Sequence, residues 1–168
     1  MATPIKLADP AENEFLASLE SRSNHPNPFL RALALRPAAL KSFIPFNAAL
    51  MGPGLVDRRI KAMVYLATSY ANQCAFCVAA NLPGARKAGL TEDELHRLEN
   101  WKDEGFSPAE RAAIRYAREL TRTARAQTAR EEMFQHFTHE QMVEITLVIA
   151  MANFTNRFNN GLEILPEA

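Results

Sequence analysis

Helix-start signals recur along the chain, and they constrain its fold more than any other feature. In each signal a residue with a side-chain oxygen is followed three residues later by Glu or Gln, which can return a hydrogen bond to the cap's own amide. The pairs are Asp9 with Glu12, Thr91 with Glu94, Ser107 with Glu110, Thr128 with Glu131, and Thr138 with Gln141. Between them apolar residues recur at helical spacing, and no segment alternates with period two for long. The sequence therefore predicts an all-α fold.

Further helix signals lie between these pairs. They predict helices near Pro28, from Pro37, from about Asp57 to Tyr70, and from Cys74 to Lys87, the last ended by Gly89. Pro45 and Pro83 lie inside two of these segments, where a proline kinks or ends a helix. The breaks at 51–54 and 103–108 are too short to be interdomain linkers. We therefore expect one helical domain over residues 1–168, with a cysteine-bearing core at about 55–95.

The composition limits the classes of partner. The chain has 19 Lys and Arg against 19 Asp and Glu, and it lacks a basic block of the kind that nucleic-acid surfaces carry. No apolar run approaches the length that crosses a bilayer, and the first residues lack the apolar core of a secretory signal. We expect a cytoplasmic protein whose partners include neither nucleic acid nor membrane.

The only two cysteines form a C-x-x-C motif, Cys74 and Cys77. In a reducing compartment a close cysteine pair is more often catalytic or metal-binding than structural. At a helix start, unpaired amides and the positive end of the helix dipole stabilise a thiolate at Cys74. Cys77, three residues on, faces the same side and can close a disulfide with it. A redox pair is the leading interpretation of the motif.

Two other interpretations of the cysteines stay open. Free cysteines are often small buried hydrophobic residues, and the motif could be no more than that. A structural zinc site needs four ligands, and His96, His136 and His139 show no matching spacing. We therefore expect no metal and no cofactor.

The segment from Arg58 to Leu95 reads RRIKAMVYLATSYANQCAFCVAANLPGARKAGLTEDEL. It resembles the core of the AhpD-like alkylhydroperoxidases, within the carboxymuconolactone decarboxylase superfamily. A fuller similarity, to the peroxidase-related branch, extends from HPNPFLRALALRPAALKSF near His25 to NFTNRFNNGLEI near Asn153. The resemblance implies a helical fold that assembles as a homo-oligomer, a dimer, trimer or hexamer.

The resemblance also implies a function and a division of roles. The implied activity is reduction of hydroperoxides, small-molecule substrates, with recycling by a dithiol or lipoyl-protein reductant. Cys77 is then the cysteine that meets the peroxide, and Cys74 the one that resolves and exchanges with the reductant. This division requires that Cys74 be exposed and that Cys77 be activated by a proton relay, a pair of side chains that move a proton to and from the thiol.

The relay is where the chain departs from the family pattern. A glutamate twelve residues before the first cysteine is replaced by Ala62, and a histidine four residues after the second is replaced by Asn81. A histidine that some members place between the cysteines is Phe76 here. Neither Ala62 nor Asn81 can act as a general base, and positioned acid–base catalysis contributes about 10² to 10⁴ in rate. We therefore expect weakened peroxidase activity unless another group serves.

Other residues are candidates for the pocket. Tyr65 and Ser69 lie on the same helix face as Ala62 and could line it, but ordinary helix packing is the favoured explanation for both. Lys61 points about 100° away from Ala62 and is expected to be solvated. In NFTNRFNNG, Arg157 is a candidate for a subunit contact or pocket rim. The alternative for that stretch is a helix end frayed into asparagine caps.

Three functions remain open at this point. The leading hypothesis is a thiol oxidoreductase in which Cys74 and Cys77 cycle between dithiol and disulfide. The second is a non-redox lyase or isomerase acting on a small organic acid or lactone, as the loss of the relay suggests. The third is an oligomeric binding or scaffolding protein that has kept the fold without the chemistry.

Overall fold

The computed structural model of the chain describes residues 3–23 and 26–166, and over these residues it is helical without a strand. The helices are α1 Glu14–Ser23, α2 Pro28–Leu33, α3 Pro37–Met51, α4 Arg58–Ala71, α5 Ala75–Lys87, α6 Glu92–Glu99, α7 Pro108–Thr123, α8 Gln127–Met133 and α9 His139–Gly161, after a 3-10 turn at Pro10–Glu12. The all-α prediction is confirmed. His25, near which the fuller resemblance begins, lies outside the described residues.

Three of the predicted capping pairs close as reciprocal hydrogen bonds. They begin α6, α7 and α9, and consist of Thr91 with Glu94, Ser107 with Glu110, and Thr138 with Gln141. In each, the cap oxygen accepts the third amide of the helix while the Glu or Gln accepts the amide of the cap. The local sequence therefore sets these helix starts.

The pair at Thr128 and Glu131 was wrong as a helix start, because α8 begins one residue before Thr128. The first turn of α8 is satisfied from another helix. Glu119 of α7 accepts the amide of Ala129 at 2.9 Å and the amide of Thr128 at 3.4 Å. A neighbouring carboxylate can fill the capping role, and this long-range contact leaves no trace in the local pattern.

Neither internal proline ends its helix. Helix α3 continues through Pro45, and α5 continues through Pro83 to Lys87. Cys77 and Ala85, on either side of Pro83, are both buried, so packing holds both halves of α5 in place. Gly89 follows with a φ of +90°, the left-handed conformation that the predicted helix end requires.

Helix α4 lies at the centre of the fold, packed against α5, α7 and α9. Its residues from Met63 to Ser69 are all buried, so it meets protein on every side. Its apolar residues join those of α7 and α9 in the main hydrophobic core. The residues before the cysteines are therefore held rigidly.

A second, smaller apolar cluster joins the helices that precede α4. It is built from Leu16, Phe29, Leu33, Ala34 and Leu40, and Phe76 of α5 and Phe158 of α9 pack against it. The beginning of α5, which carries the cysteines, therefore lies between the two clusters.

Lys61 is buried, and the expectation that it would be solvated was wrong. Its side chain is 1% exposed, and its ammonium donates to the carbonyl oxygens of Leu50 at 2.8 Å and Gly52 at 2.9 Å. It also forms an ion pair with Glu144 of α9. These contacts fasten the end of α3 to α4 and α9.

Candidate active site around the cysteine pair

A tight corner between α4 and α5 places Cys74 at the start of a helix. Gln73 adopts a left-handed φ of 53°, and the amide of Cys74 donates to the carbonyl of Ser69 at 3.0 Å. Cys74 is then the N-cap of α5, and its Sγ accepts the amide of Cys77 at 3.3 Å. The sulfur of Cys74 therefore takes one of the unpaired amides of the helix start, as the sequence predicted.

The structure joins Cys74 and Cys77 in a disulfide, with their Cα atoms 5.3 Å apart. Cys74 is 0% exposed and Cys77 is 2% exposed. The exposure of Cys74 that the division of roles required is therefore absent in the isolated chain.

A cavity of about 340 Å³ lies beside Cys77. Phe29, Phe43 and Phe76 contribute aromatic walls, and the polar groups include those of Tyr65, Asn81, Thr155 and Asn159. No residue that lines it in the described part of the chain carries a formal charge, and Cys74 does not border it. The cavity gives a small uncharged molecule access to Cys77 alone.

Asn159 of α9 bridges this cavity and the sulfur of Cys77. Its side-chain Nδ2 donates to Cys77 Sγ at 3.3 Å, across 82 positions of sequence. Its Oδ1 is buried and has no hydrogen-bond partner among the described residues. A buried amide oxygen without a partner is rare in folded proteins and invites a ligand donor.

Further asparagines of α9 clamp the α4–α5 corner. Asn72 Nδ2 donates to the Oδ1 atoms of Asn153 and Asn156, each at 3.0 Å. Asn156 Nδ2 donates to Ser69 Oγ at 3.1 Å, and Asn160 Nδ2 donates to the carbonyl of Asn72 at 2.8 Å. This stretch is regular helix as far as Gly161, so the frayed-end interpretation was wrong. The asparagines fix the geometry of the cysteine motif.

The hydroxyl of Tyr65 lies in the cavity wall and shares a 2.6 Å hydrogen bond with the hydroxyl of Thr155. Thr155 Oγ1 also lies 3.0 Å from the carbonyl of Ala152, and either hydroxyl of the Tyr65–Thr155 pair can be the donor. Burial raises the pKa of Tyr65, against the opposing effect of hydrogen bonds to Thr155 and Asn81. Tyr65 therefore stays a neutral phenol at neutral pH.

The two substituted relay positions lie together at a second cavity of about 220 Å³. Ala62 and Asn81 both border it, and Asn81 also borders the larger cavity. Asn81 Nδ2 donates to the carbonyl of Cys77 at 2.8 Å, so its amide is engaged with the backbone of the motif. The two positions border one cavity, but neither side chain can transfer a proton.

Ser69 and Arg157 lie outside the larger cavity. Ser69 is buried and donates to the carbonyl of Tyr65 at 2.9 Å, and Arg157 is exposed and donates to Asn153 Oδ1.

Over the described ranges, no group of three His, Cys, Asp or Glu side chains lies close enough to hold a metal ion. Within the same ranges, no helix combines the length and hydrophobicity that spanning a membrane requires.

The sequence interpretation missed Asn159, Thr155, Asn153 and Asn160, whereas Asn156, with Arg157, was a candidate for a subunit contact or pocket rim. A signal for them existed, because Asn153, Asn156 and Asn160 recur at three- and four-residue spacing on one helix face. Asparagine is seldom buried without partners, and a one-sided row of it inside an apolar helix predicts a buried polar contact.

Comparison with known proteins identifies a family and individual proteins that are similar in sequence to this chain. Residues 37–119 match the carboxymuconolactone decarboxylase family. The uncharacterized protein YdfG of Bacillus subtilis (strain 168) is 29% identical over 109 residues, which cover 62% of this chain and 74% of that protein.

Two solved structures share the fold. An uncharacterized peroxidase-related protein from Ralstonia eutropha JMP134, described as an alkylhydroperoxidase AhpD core, superposes with a TM-score of 0.86 at 21% identity, over 99% of this chain and 93% of that one. The debrominase Bmp8, in complex with 2,3,4-tribromopyrrole, has a TM-score of 0.81 at 17% identity, over 100% and 92%. The family match over residues 37–119, these folds and the Cys74–Cys77 motif support the resemblance already seen in the sequence, to the AhpD-like proteins of the carboxymuconolactone decarboxylase superfamily.

Proposed function

We propose that the chain is a thiol-dependent oxidoreductase that reduces small hydroperoxides in the cavity beside Cys77. The observation that supports this most is that the disulfide between Cys74 and Cys77 borders an uncharged cavity through one sulfur only. A structural staple in a sealed core would not require such a cavity. The activity belongs to the reduced form, in which both cysteines are thiols.

The first half of the reaction oxidises Cys77. Its thiolate attacks the terminal oxygen of R–O–O–H, so an S–O bond forms, the O–O bond breaks, and RO⁻ takes a proton to leave as the alcohol. The thiolate of Cys74 then attacks the sulfur of Cys77, the S–S bond forms, and hydroxide takes a proton to leave as water. In sum, a hydroperoxide and two thiols give an alcohol, water and the disulfide.

The proton for the departing alkoxide comes from the wall of the cavity. Because Ala62 and Asn81 cannot supply it, the neutral Tyr65 hydroxyl is the candidate donor. A phenol with a raised pKa is a weaker acid than an imidazolium, so the reaction is slower than one with a complete relay.

A dithiol restores the reduced form through the same cavity. Cys74 is enclosed, so one thiolate of the reductant attacks Cys77 Sγ, and Cys74 leaves as a thiolate. The amide of Cys77 already points at Cys74 Sγ, which stabilises that leaving group. The second thiolate of the reductant then displaces Cys77 and departs as the cyclic disulfide. A slender arm such as a lipoyl group fits this requirement.

The direct test is consumption of cumene hydroperoxide with dihydrolipoamide as the reductant. We expect wild type to consume peroxide and Cys77→Ala to show no turnover. Reduced Cys74→Ala, treated with peroxide in the absence of any added thiol, should react once and stop at the sulfenic acid, detected as a mass increase of one oxygen. Inactivity of the wild type, or full turnover by Cys77→Ala, would contradict the proposal.

Reductive dehalogenation is a second candidate, favoured by the aromatic, uncharged lining of the cavity and by the debrominase of the same fold. In that reaction an aryl bromide and two thiols give the debrominated arene, bromide, a proton and the disulfide. Bromide release from 2,3,4-tribromopyrrole, measured with the same cysteine variants and reductant, distinguishes this candidate from peroxide reduction.

The non-redox alternative makes the opposite prediction for the cysteines. A lyase or isomerase acting on a small organic acid or lactone would keep its turnover in the Cys74→Ser, Cys77→Ser double variant. A scaffolding protein would turn over neither peroxide nor dithiol while keeping its assembly. The uncharged lining beside Cys77 disfavours an organic acid, because a carboxylate would meet no cation there.

A further inference from the structure

The side-chain amide of Asn159 has one end that is hydrogen-bonded to the reactive sulfur and one end that is unpaired. Nδ2 donates to Cys77 Sγ at 3.3 Å, and Oδ1 is buried without a partner among the described residues. The side chain is 2% exposed and borders the cavity. An unpaired buried acceptor destabilises the fold, and a ligand that donates to it recovers much of that cost.

The rest of the lining narrows the kind of ligand. Phe29, Phe43 and Phe76 offer aromatic surface, which suits a compact apolar body. A charged group would lose its hydration without gaining an ion pair, because no lining residue in the described ranges is charged. The cavity volume of about 340 Å³ is at the small end for ligand sites.

We propose that Asn159 determines substrate specificity: the cavity takes uncharged compact molecules, and Asn159 Oδ1 accepts their single O–H or N–H donor beside Cys77. The inference rests on the proposed function and names the substrate class of the same site. It assigns a binding role to a residue 82 positions away from the cysteine that it serves.

The arrangement suits a hydroperoxide in one particular way. In R–O–O–H the oxygen that carries the hydrogen is the one that a thiolate attacks. When that O–H donates to Asn159 Oδ1, its oxygen lies beside the sulfur that Nδ2 of the same amide holds. One side chain thus orients both reacting atoms, while the apolar R group packs against the phenylalanines.

Binding is measured on the disulfide form, which cannot turn over, with inert probes. The probes are 2-phenyl-2-propanol, its methyl ether, which lacks the donor, and its para-carboxylate, which is charged. In a ligand-observed NMR titration of wild type, we expect the Kd of the alcohol to be about tenfold lower than that of the ether. A ratio of this size is what one buried hydrogen bond contributes. The carboxylate should bind more weakly than the ether.

The matched variants are Asn159→Leu and Asn100→Leu. Asn100 is an exposed residue at the end of α6 and does not border the cavity, so its variant should keep the preference for the alcohol. Asn159→Leu should bind alcohol and ether equally. If the leucine does not fold, Asn159→Ala answers the same question, and the wild-type comparison decides independently of any variant.

The two proposals fail in different ways. Equal binding of alcohol and ether to wild type, or an unchanged preference in Asn159→Leu, overturns the role of Asn159 even if peroxide is consumed. A tenfold preference without peroxide turnover by reduced protein keeps the binding role and overturns the peroxidase. Tight binding of the carboxylate overturns the uncharged substrate class.

Discussion

The ammonium of Lys61 in α4 is buried against the carboxylate of Glu144 in α9, directly beside the empty relay position at Ala62. Removing one member of a buried pair leaves an uncompensated charge, which costs about 3–5 kcal/mol. Because Glu144 keeps some contact with solvent, we expect Lys61→Met to lower the free energy of unfolding by about 3 kcal/mol. Urea unfolding followed by circular dichroism measures it. The double variant with Glu144→Gln should recover part of the loss, and strict additivity of the two single changes would contradict the pairing.

The same carboxylate makes stability depend on pH. Burial opposes the ionisation of Glu144, but hydrogen bonds from Lys61 and from the amide of Leu55 hold its pKa below the usual 4.5. A carboxyl whose pKa is lowered on folding contributes stability that is complete above its unfolded pKa and is lost as pH falls through the folded one.

The stability difference between wild type and Glu144→Gln should therefore be constant from pH 7 to about pH 5.5 and shrink below the usual pKa of 4.5. Urea midpoints at several pH values between 7 and 3 test this. Glu131→Gln, a change on the exposed side of α8, is the control and should show a small effect at every pH. A difference that grew as the pH fell would contradict the assigned direction.

Restoring the relay should raise peroxidase activity. Ala62 and Asn81 border one cavity of about 220 Å³, so Glu and His at these positions would share a space that is already open. We expect Ala62→Glu with Asn81→His to raise the rate of cumene hydroperoxide consumption by about 10². Each single change should give much less, because a proton relay needs both members. A double variant no faster than wild type, yet equally stable, would show that the relay is not what limits the rate.

Tyr65→Phe tests the proton donor, and the chain offers a matched control. Tyr116 forms the same kind of contact with a threonine, Thr146, at 2.9 Å, but it does not border the cavity of Cys77. We expect Tyr65→Phe to lower the rate of peroxide consumption by about 10², and Tyr116→Phe to leave it unchanged. Stopped-flow measurement of Cys77 oxidation isolates the step. Equal rates for the two variants would remove Tyr65 from the mechanism.

Self-association, which the family resemblance implies, has a candidate surface. Phe46 of α3 with Leu147 and Phe154 of α9 are large exposed apolar side chains on a groove without charged lining in the described chain. We propose that a second copy covers this groove, because a scattered exposed residue is ordinary but a contiguous apolar patch marks an interface. Leu147→Glu should lower the mass measured by light scattering, whereas Leu35→Glu, at another exposed leucine that does not line the groove, should leave it unchanged. A monomeric wild type would overturn the assignment.

The sequence predicted those features that depend on local chemistry. The capping boxes at Thr91, Ser107 and Thr138 set helix starts within one turn, and Gly89 marked a helix end, so the all-α fold could be inferred without tertiary information. The position of Cys74 at a helix start is also a local feature. Gln73, the residue before it, adopts a left-handed φ that separates α4 from α5.

What the sequence did not predict depends on contacts between distant segments. The start of α8 is capped by Glu119 of another helix, and Lys61 is buried because Glu144 approaches it from α9. Asn159 reaches Cys77 only after α9 has packed against α5. No local pattern encodes such pairings, although the one-sided row of asparagines in α9 signalled that some buried partner existed.

The enclosure of Cys74 has a kinetic consequence. Under the proposed function, peroxide and dithiol both reach the motif through the cavity that Cys77 borders and Cys74 does not, so they cannot occupy it at the same time. The steady state then follows ping-pong kinetics, with parallel lines in double-reciprocal plots. Each reactant also inhibits at high concentration by occupying the form of the protein that awaits the other. A bulky thiol reagent at Cys77 would therefore stop both half-reactions at once.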